Sequence, residues 1–78
     1  MEPTHKLDVL GHYCPVPVNH ARNALLKLNV GEILLVVADD PETIHDIPLL
    51  VSRMGHNLLG TEENSGEFHY TCLLYTSD

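Results

Sequence analysis

The sequence has little positive charge, few cysteines and no long hydrophobic run. Only four of its 78 residues are lysine or arginine, against eleven aspartates and glutamates, which gives a formal net charge of −7. Because nucleic acids and anionic membranes favour basic surfaces, this balance argues against both as direct partners. No stretch of about 18 apolar residues is present, so we expect no membrane-spanning helix. The sequence also lacks the charged start and following apolar stretch of a secretory signal peptide, so we expect no such signal.

The two cysteines, Cys14 and Cys72, are too few for the disulfide framework of a small secreted domain. Together with the missing signal, this predicts a reducing, cytoplasmic location. Each cysteine must then be a core side chain or a reactive thiol. Hydrophobic residues make up 44% of the chain, enough for a core, and the length predicts one domain spanning residues 1–78. A domain of this size leaves little room for a large enclosed cavity, so chemistry would lie at the surface.

Hydrophobic periodicity predicts six secondary-structure elements. The strands are expected over residues 5–10, 32–38, 57–63 and 67–75, and the helices over residues 18–28 and 43–54. The unbroken apolar run over residues 33–37 predicts a strand that is central or covered on both faces. The order β-α-β-α-β-β predicts an α/β (α+β) two-layer sandwich, with a four-stranded mixed sheet and two helices on one face.

The second predicted helix has a clear start and one irregular position. Asp40 is a suitable N-cap and Pro41 suits the first helical turn. An apolar stripe follows, formed by Ile44, Ile47, Leu50, Val51 and Met54. Pro48 removes one backbone hydrogen bond from this stripe, so we expect either a kink there or a helix that restarts at Asp46.

A Cys-Pro-x-Pro sequence opens the first predicted helix. If Cys14 is the N-cap, Pro15 and Pro17 are the first and third helical residues, where the missing N–H groups have no intrahelical role. The sulfur would then accept a hydrogen bond from the Val16 N–H, and the helix dipole would lower the thiol pKa. The competing interpretation is a buried, inert cysteine. The preceding Gly11 loop and the amphipathic helix favour a reactive thiol.

Other polar residues near this motif have simpler interpretations. His12, Cys14 and His20 could in principle bind zinc or copper, but too few ligands converge, so we expect no metal and no cofactor. His12 could instead support the thiolate as a nearby cation. Arg22 falls on the polar helix face and could contact a docking partner. Turn and capping roles explain Asp39, Asp40 and Asp46, and Cys72 is assigned to the core.

These features together resemble the TusA/SirA-type sulfur-carrier proteins over residues 5–72. The residues that carry the resemblance are Leu7-Asp8 with Gly11, Cys14-Pro15-Val16-Pro17, Ala21-Arg22 with Leu25, Gly31-Glu32, Asp39-Asp40-Pro41, Asp46-Ile47-Pro48, Gly55-His56, and Gly66 with Phe68 and Tyr70. Two departures stand out. Tyr13 occupies a position where some sulfur carriers have a basic residue, and residues 73–78 lack the basic finish common in the family, which leaves open whether this segment is native.

The resemblance implies a specific activity. Family members hold sulfane sulfur as a persulfide on the cysteine that matches Cys14, with Gly11, Pro15 and Pro17 as the supporting motif. They receive it from a cysteine desulfurase or rhodanese-like donor and pass it to an acceptor protein. Destinations include tRNA thiolation, molybdenum-cofactor assembly and sulfur oxidation. Such a protein is a carrier rather than an enzyme that turns over its own small substrate.

Two other functions remain open on the sequence. A related α/β sandwich occurs in the C-terminal domain of a translation initiation factor, so an RNA- or protein-binding regulatory module, suggested by fold analogy alone, is the main alternative. The acidic balance opposes RNA binding. A redox accessory protein, in which Cys14 forms mixed disulfides, is the third hypothesis.

Overall fold

The computed structural model describes residues 2–75 and contains all six predicted elements in the predicted order. The strands are β1 (His5–Asp8), β2 (Ile33–Ala38), β3 (Asn57–Asn64) and β4 (Glu67–Leu73), and the helices are α1 (Val16–Lys27) and α2 (Thr43–Arg53). None of the helices in this part of the chain is long and apolar enough to cross a membrane.

The four strands form one mixed sheet in the order β1-β2-β4-β3. β1 pairs with β2 in parallel, whereas β4 is antiparallel to both β2 and β3. β2 therefore has a neighbour on each side, which explains why its sequence is apolar at every position. This confirms the mixed sheet and the central position expected for the strand over residues 33–37.

Both helices pack on one face of this sheet, as predicted. Alternate residues of β2 and β4 point into a single core and meet the apolar stripes of α1 and α2. The sheet contributes Leu34, Val36, Ala38, Phe68, Tyr70 and Cys72, and the helices contribute Ala21, Leu25, Ile47, Leu50 and Val51. Ile44 does not join them. It was expected in the α2 stripe but is 43% exposed, because it lies in the first turn on the solvent side.

Several predicted boundaries shift by one or two residues. β1 ends at Asp8 rather than at residue 10, because the Asp8 carboxylate accepts the Leu10 N–H and turns the chain. β4 ends at Leu73, but the chain remains bonded to the sheet one residue further. Leu74 donates its N–H to Glu32 O, accepts the Gly31 N–H, and is buried. Of the segment 73–78 whose origin the sequence leaves open, residues 76–78 lie outside the described part of the chain.

Helix α2 is continuous through Pro48, so of the two alternatives the restart at Asp46 is wrong, and the kink at Pro48 stays a prediction. The Asp46 N–H donates to Glu42 O within the same helix, and the turn before it is tight, with Thr43, Ile44 and His45 bonded three residues back. The tight first turn therefore leads directly into the regular helix that contains Pro48.

The β3–β4 hairpin closes in a tight turn over Ser65 and Gly66. Asn64 and Glu67 pair across a two-residue turn in which Ser65 and Gly66 both have positive φ, 51° and 85°. These angles define the mirror-image turn whose twist matches a right-handed hairpin, and glycine adopts such a φ without strain.

The topology places the loops after β1 and β2 at the same edge of the sheet. These two strands are parallel neighbours, so their carboxyl ends lie side by side. β3 is also parallel to β2, since both are antiparallel to β4. Helices α1 and α2, which connect these parallel strands, therefore both begin at this edge. The Cys14 loop and the Asp39-Asp40 turn meet there.

Candidate functional site at the start of the two helices

Cys14 lies in the loop immediately before α1, with its side chain exposed to solvent. The predicted capping arrangement is wrong by one residue. Pro15 is the N-cap, Val16 begins the helix, and Pro17 is its second residue rather than its third. The Val16 N–H donates to Tyr13 O at 2.9 Å and not to the sulfur. Sequence reasoning placed the motif correctly at a helix start but missed the competing turn bond.

Two aspartates at the end of β2 tether the Cys14 loop. The buried Asp40 carboxylate accepts the Cys14 N–H at 2.7 Å and the Glu42 N–H at 3.1 Å. The exposed Asp39 carboxylate accepts the Gly11 N–H at 3.0 Å. Gly11 has φ of 80°, a conformation that favours glycine, which explains its place in the motif. The loop is thus held from the neighbouring turn, across the carboxyl edge of the sheet.

A second network anchors that turn to the core. The Asp40 carbonyl accepts the Thr43 hydroxyl at 2.6 Å, and the Thr43 oxygen is 2.8 Å from the Tyr70 hydroxyl. Thr43 and Tyr70 are both buried, and Tyr70 lies on β4. Burial raises the pKa of Tyr70, so its hydroxyl stays protonated and available for hydrogen bonding. A chain of polar contacts therefore runs from Tyr70 of the sheet, through Thr43 and Asp40, to the backbone of the Cys14 loop.

The Cys14 sulfur faces carboxylates rather than a cation. Sγ donates to Asp46 Oδ2 at 3.5 Å, across from the first turns of α2. Partial desolvation raises the pKa of the Cys14 thiol above its ordinary value, and the hydrogen bond and negative charge of Asp46 raise it further, with contributions from Asp40 and Glu42. The lowered pKa expected from the helix dipole is therefore wrong. The thiol form, not the thiolate, predominates at neutral pH in the isolated protein.

An open groove of about 310 Å³ extends from Cys14 between the two helices. Its walls are apolar, from side chains such as Val18, Leu49 and Leu50, and it also contains Arg22 and Arg53. The expectation that Arg22 faces a docking surface is consistent with this placement. Arg53 and Leu49 were not singled out from the sequence. They lie on the strip of α2 that faces α1, a relation that a single helix pattern does not contain.

The histidines near the motif lie apart from metal-binding geometry. The rings of His12 and His20 stack, with centroids 5.9 Å apart and planes 18° from parallel. Among residues 2–75, no group of three or more histidine, cysteine, aspartate or glutamate side chains is arranged to hold a metal ion. The charges that shift the Cys14 pKa all belong to carboxylates, and His12 is not among them. Support of the thiolate by His12 therefore stays a prediction.

The second cysteine is sealed in the core, as predicted. Cys72 is on β4, is fully buried, and is not bonded to Cys14. Burial raises its pKa to about 11. One exposed thiol and one inert thiol therefore define the sulfur chemistry that the described residues can perform.

The fold and the site together define a small α/β protein with one exposed free cysteine just before its first helix. The sequence model of the family described as "Sulfurtransferase TusA" matches residues 5–72. The crystal structure of a SirA-like protein from Desulfitobacterium hafniense is similar, with a TM-score of 0.81 and 26% sequence identity over 94% of this chain and 100% of that chain. The chain belongs to the TusA sulfurtransferase family, whose general role is sulfur transfer as a carrier.

Proposed function

We propose that Cys14 carries sulfane sulfur as a persulfide between proteins. The observation that carries this proposal is the pairing of one exposed thiol, held by backbone tethers at the mouth of a groove, with a second thiol that is fully buried. Such a protein loads and unloads one sulfur atom and needs no cofactor of its own. It acts as a carrier rather than as an enzyme with a small substrate that it turns over.

The chemistry is thiol–disulfide exchange without net oxidation. The Cys14 sulfur attacks the outer sulfur of a donor persulfide, the donor S–S bond breaks, and Cys14–S–SH forms while the donor leaves as a thiol. An acceptor thiolate then attacks the same outer sulfur and releases Cys14. Asp46, which accepts the Cys14 S–H, is placed to receive the thiol proton in the first step.

The lack of a second reactive thiol supports carriage rather than discharge. A neighbouring cysteine would attack the inner sulfur of Cys14–S–SH, close a disulfide and release hydrogen sulfide. Cys72 has no solvent exposure and its pKa is raised to about 11, so its thiolate is scarce at neutral pH. The persulfide on Cys14 would therefore wait for an external acceptor.

The surface around Cys14 is suited to docking proteins. Tyr13 is 72% exposed beside it, and Leu49 is 50% exposed in the adjoining groove. Exposed large apolar side chains of this kind are common at protein contacts. We infer a cysteine desulfurase or rhodanese-like protein as donor and a downstream sulfur-acceptor protein. The relay would act in the cytoplasm, in tRNA thiolation, molybdenum-cofactor assembly or sulfur oxidation.

A mass-spectrometric experiment tests this function. The purified protein is incubated with sodium polysulfide or with a cysteine desulfurase and cysteine, and the intact mass is recorded. We expect the addition of one sulfur, its loss in Cys14→Ser, and its retention in Cys72→Ala. Sulfur addition that persists in Cys14→Ser would contradict the proposal, as would a wild-type protein that takes up no sulfur from any donor.

A further inference from the structure

The groove beside Cys14 concentrates positive charge in an acidic protein. The whole chain contains four lysines and arginines. Two of them, Arg22 and Arg53, line this one groove. In a protein of net charge −7, two arginines that line one groove, Arg22 from α1 and Arg53 from α2, locally reverse the sign of the overall charge.

Neither arginine forms an ion pair with a carboxylate of residues 2–75. The ion pairs within residues 2–75 join His5 to Glu32 and His69 to Glu67, and no described carboxylate pairs with Arg22 or Arg53. Both side chains are exposed. Guanidinium groups bind carboxylates through two parallel hydrogen bonds, so an unpaired couple of them is available to an external anion.

The spacing along the helices separates the thiol from this cationic end. Arg22 lies six residues beyond Val16 on α1, and Arg53 lies seven residues beyond Asp46 on α2. At about 1.5 Å per residue these are advances of roughly 9–10 Å from the end where Asp46 contacts Cys14. An extended segment of about three residues spans the same distance.

The size and lining of the groove fit a small molecule. Its volume of about 310 Å³ is at the lower end of small-ligand pockets, which run from about 300 to 1,000 Å³. Val18, Leu49 and Leu50 supply an apolar wall between the thiol end and the arginines. Asp46, the carboxylate in this groove, lies at the thiol end, so an anionic ligand would orient with its negative groups away from it.

We propose that the Cys14 groove binds a carboxylate-bearing, peptide-sized persulfide and that Arg22 and Arg53 hold its carboxylates while its outer sulfur reaches Cys14. This inference rests on the proposed function and names a small-molecule donor for the same site. The transfer is balanced: Cys14–SH and R–S–SH give Cys14–S–SH and R–SH. One S–S bond breaks and one forms, and no external oxidant or reductant takes part.

The test compares three sulfur donors on the full chain. Glutathione persulfide carries free carboxylates, its diethyl ester persulfide does not, and sodium polysulfide reports the reactivity of Cys14 alone. The rate of single-sulfur addition is measured by intact mass. We expect the wild-type protein to load from the acid about tenfold faster than from the ester, since tenfold corresponds to one or two modest charge-assisted contacts.

A matched pair of double variants isolates the arginines. Arg22→Gln with Arg53→Gln should abolish the preference for the acid by lowering its loading rate to that of the ester. Lys6→Gln with Lys27→Gln removes the same charge from a different groove and should retain the preference. Thermal midpoints close to wild type verify that both double variants are folded.

The outcomes separate this inference from the function on which it rests. Equal wild-type rates with acid and ester would overturn it, as would an equal loss in the lysine control, which would indicate general charge attraction. Arginine dependence confined to transfer from a desulfurase would also overturn it, and would assign the groove to protein docking. In those cases loading from polysulfide would still support Cys14 as the carrier. Failure of all three donors to load Cys14 would overturn this inference, and the proposed function would be refuted as well if a cysteine desulfurase also failed to load Cys14.

Discussion

The Asp40 carboxylate should be the main tether of the Cys14 loop, and its removal should lower stability by a measurable amount. Asp40 is 5% exposed and accepts two backbone N–H groups, from Cys14 at 2.7 Å and from Glu42 at 3.1 Å. Hydrogen bonds to a charged acceptor contribute about 1.5–3 kcal/mol each. Because the Cys14 loop is at the surface, water would compensate part of the loss. We therefore expect the Asp40→Ala variant to be less stable by about 3 kcal/mol.

This change is large for a domain of 78 residues. Such a domain has a free energy of unfolding of about 4–12 kcal/mol, and 1 kcal/mol corresponds to roughly 4–8 °C in Tm at this size. The Tm of Asp40→Ala should therefore fall by about 12–24 °C. Asp40→Asn keeps one oxygen acceptor and should lose about half as much. Differential scanning calorimetry measures both shifts.

Asp39→Ala is the matched control. It removes the same charge from the adjacent residue, but the Asp39 carboxylate is exposed and bonds the exposed Gly11 N–H. We expect a cost of about 0.5 kcal/mol or less, hence only a few degrees in Tm. Hydrogen exchange of the Cys14 amide should accelerate in Asp40→Ala and not in Asp39→Ala. Equal Tm shifts in the two variants, or unchanged exchange at Cys14, would refute the assignment of Asp40 as the tether.

Three further predictions concern the thiols and the core network. Because Asp46 raises the pKa of Cys14, Asp46→Asn should lower that pKa and increase the rate of iodoacetamide alkylation at pH 7; an unchanged rate would exclude Asp46 as the controlling charge. Thr43→Val should cost about 1–3 kcal/mol by leaving the buried Tyr70 hydroxyl without its partner, whereas Thr43→Ser should cost less; urea denaturation compares them, and equal costs would indicate lost packing instead. Because the pKa of Cys72 is raised to about 11 by burial, native protein at pH 8 should alkylate at one thiol and unfolded protein at two, as counted by mass; labelling of Cys72 in the native state would contradict its burial.

The elements of this fold were predictable because each has a periodic signal of its own. The alternation of Phe68, Tyr70 and Cys72 correctly placed one face of β4 in the core, and the apolar run of β2 correctly indicated a central strand. Ile44 fits the same helical period but is exposed, and the adjacent Thr43 is the buried residue of the first turn of α2. Periodicity identifies a face of a helix but not which of two adjacent residues at its margin is covered.

The chemistry of the site was less predictable because it depends on contacts between distant segments. The sequence correctly located Cys14 at a helix start and Cys72 in the core. It did not indicate that Asp46, 32 residues away, would accept a hydrogen bond from the thiol and help to raise the Cys14 pKa. The meeting of Asp40 with Cys14 follows from parallel pairing of β1 and β2, which the order of elements favours but does not fix. Arg53 could be identified as a groove residue only from the packing of α2 against α1.

The backbone bonds of Leu74 bear on the choice of expression boundaries. The family match ends at residue 72, but Leu74 is 2% exposed and exchanges two hydrogen bonds with Gly31 and Glu32. A gene fragment that ends at the family limit would delete a leucine whose burial contributes about 2 kcal/mol. It would also remove the two backbone hydrogen bonds that hold Gly31 and Glu32, the residues just before β2. Affinity tags should therefore be appended after residue 75, so that the recombinant protein keeps the Leu74 side chain and its two backbone hydrogen bonds.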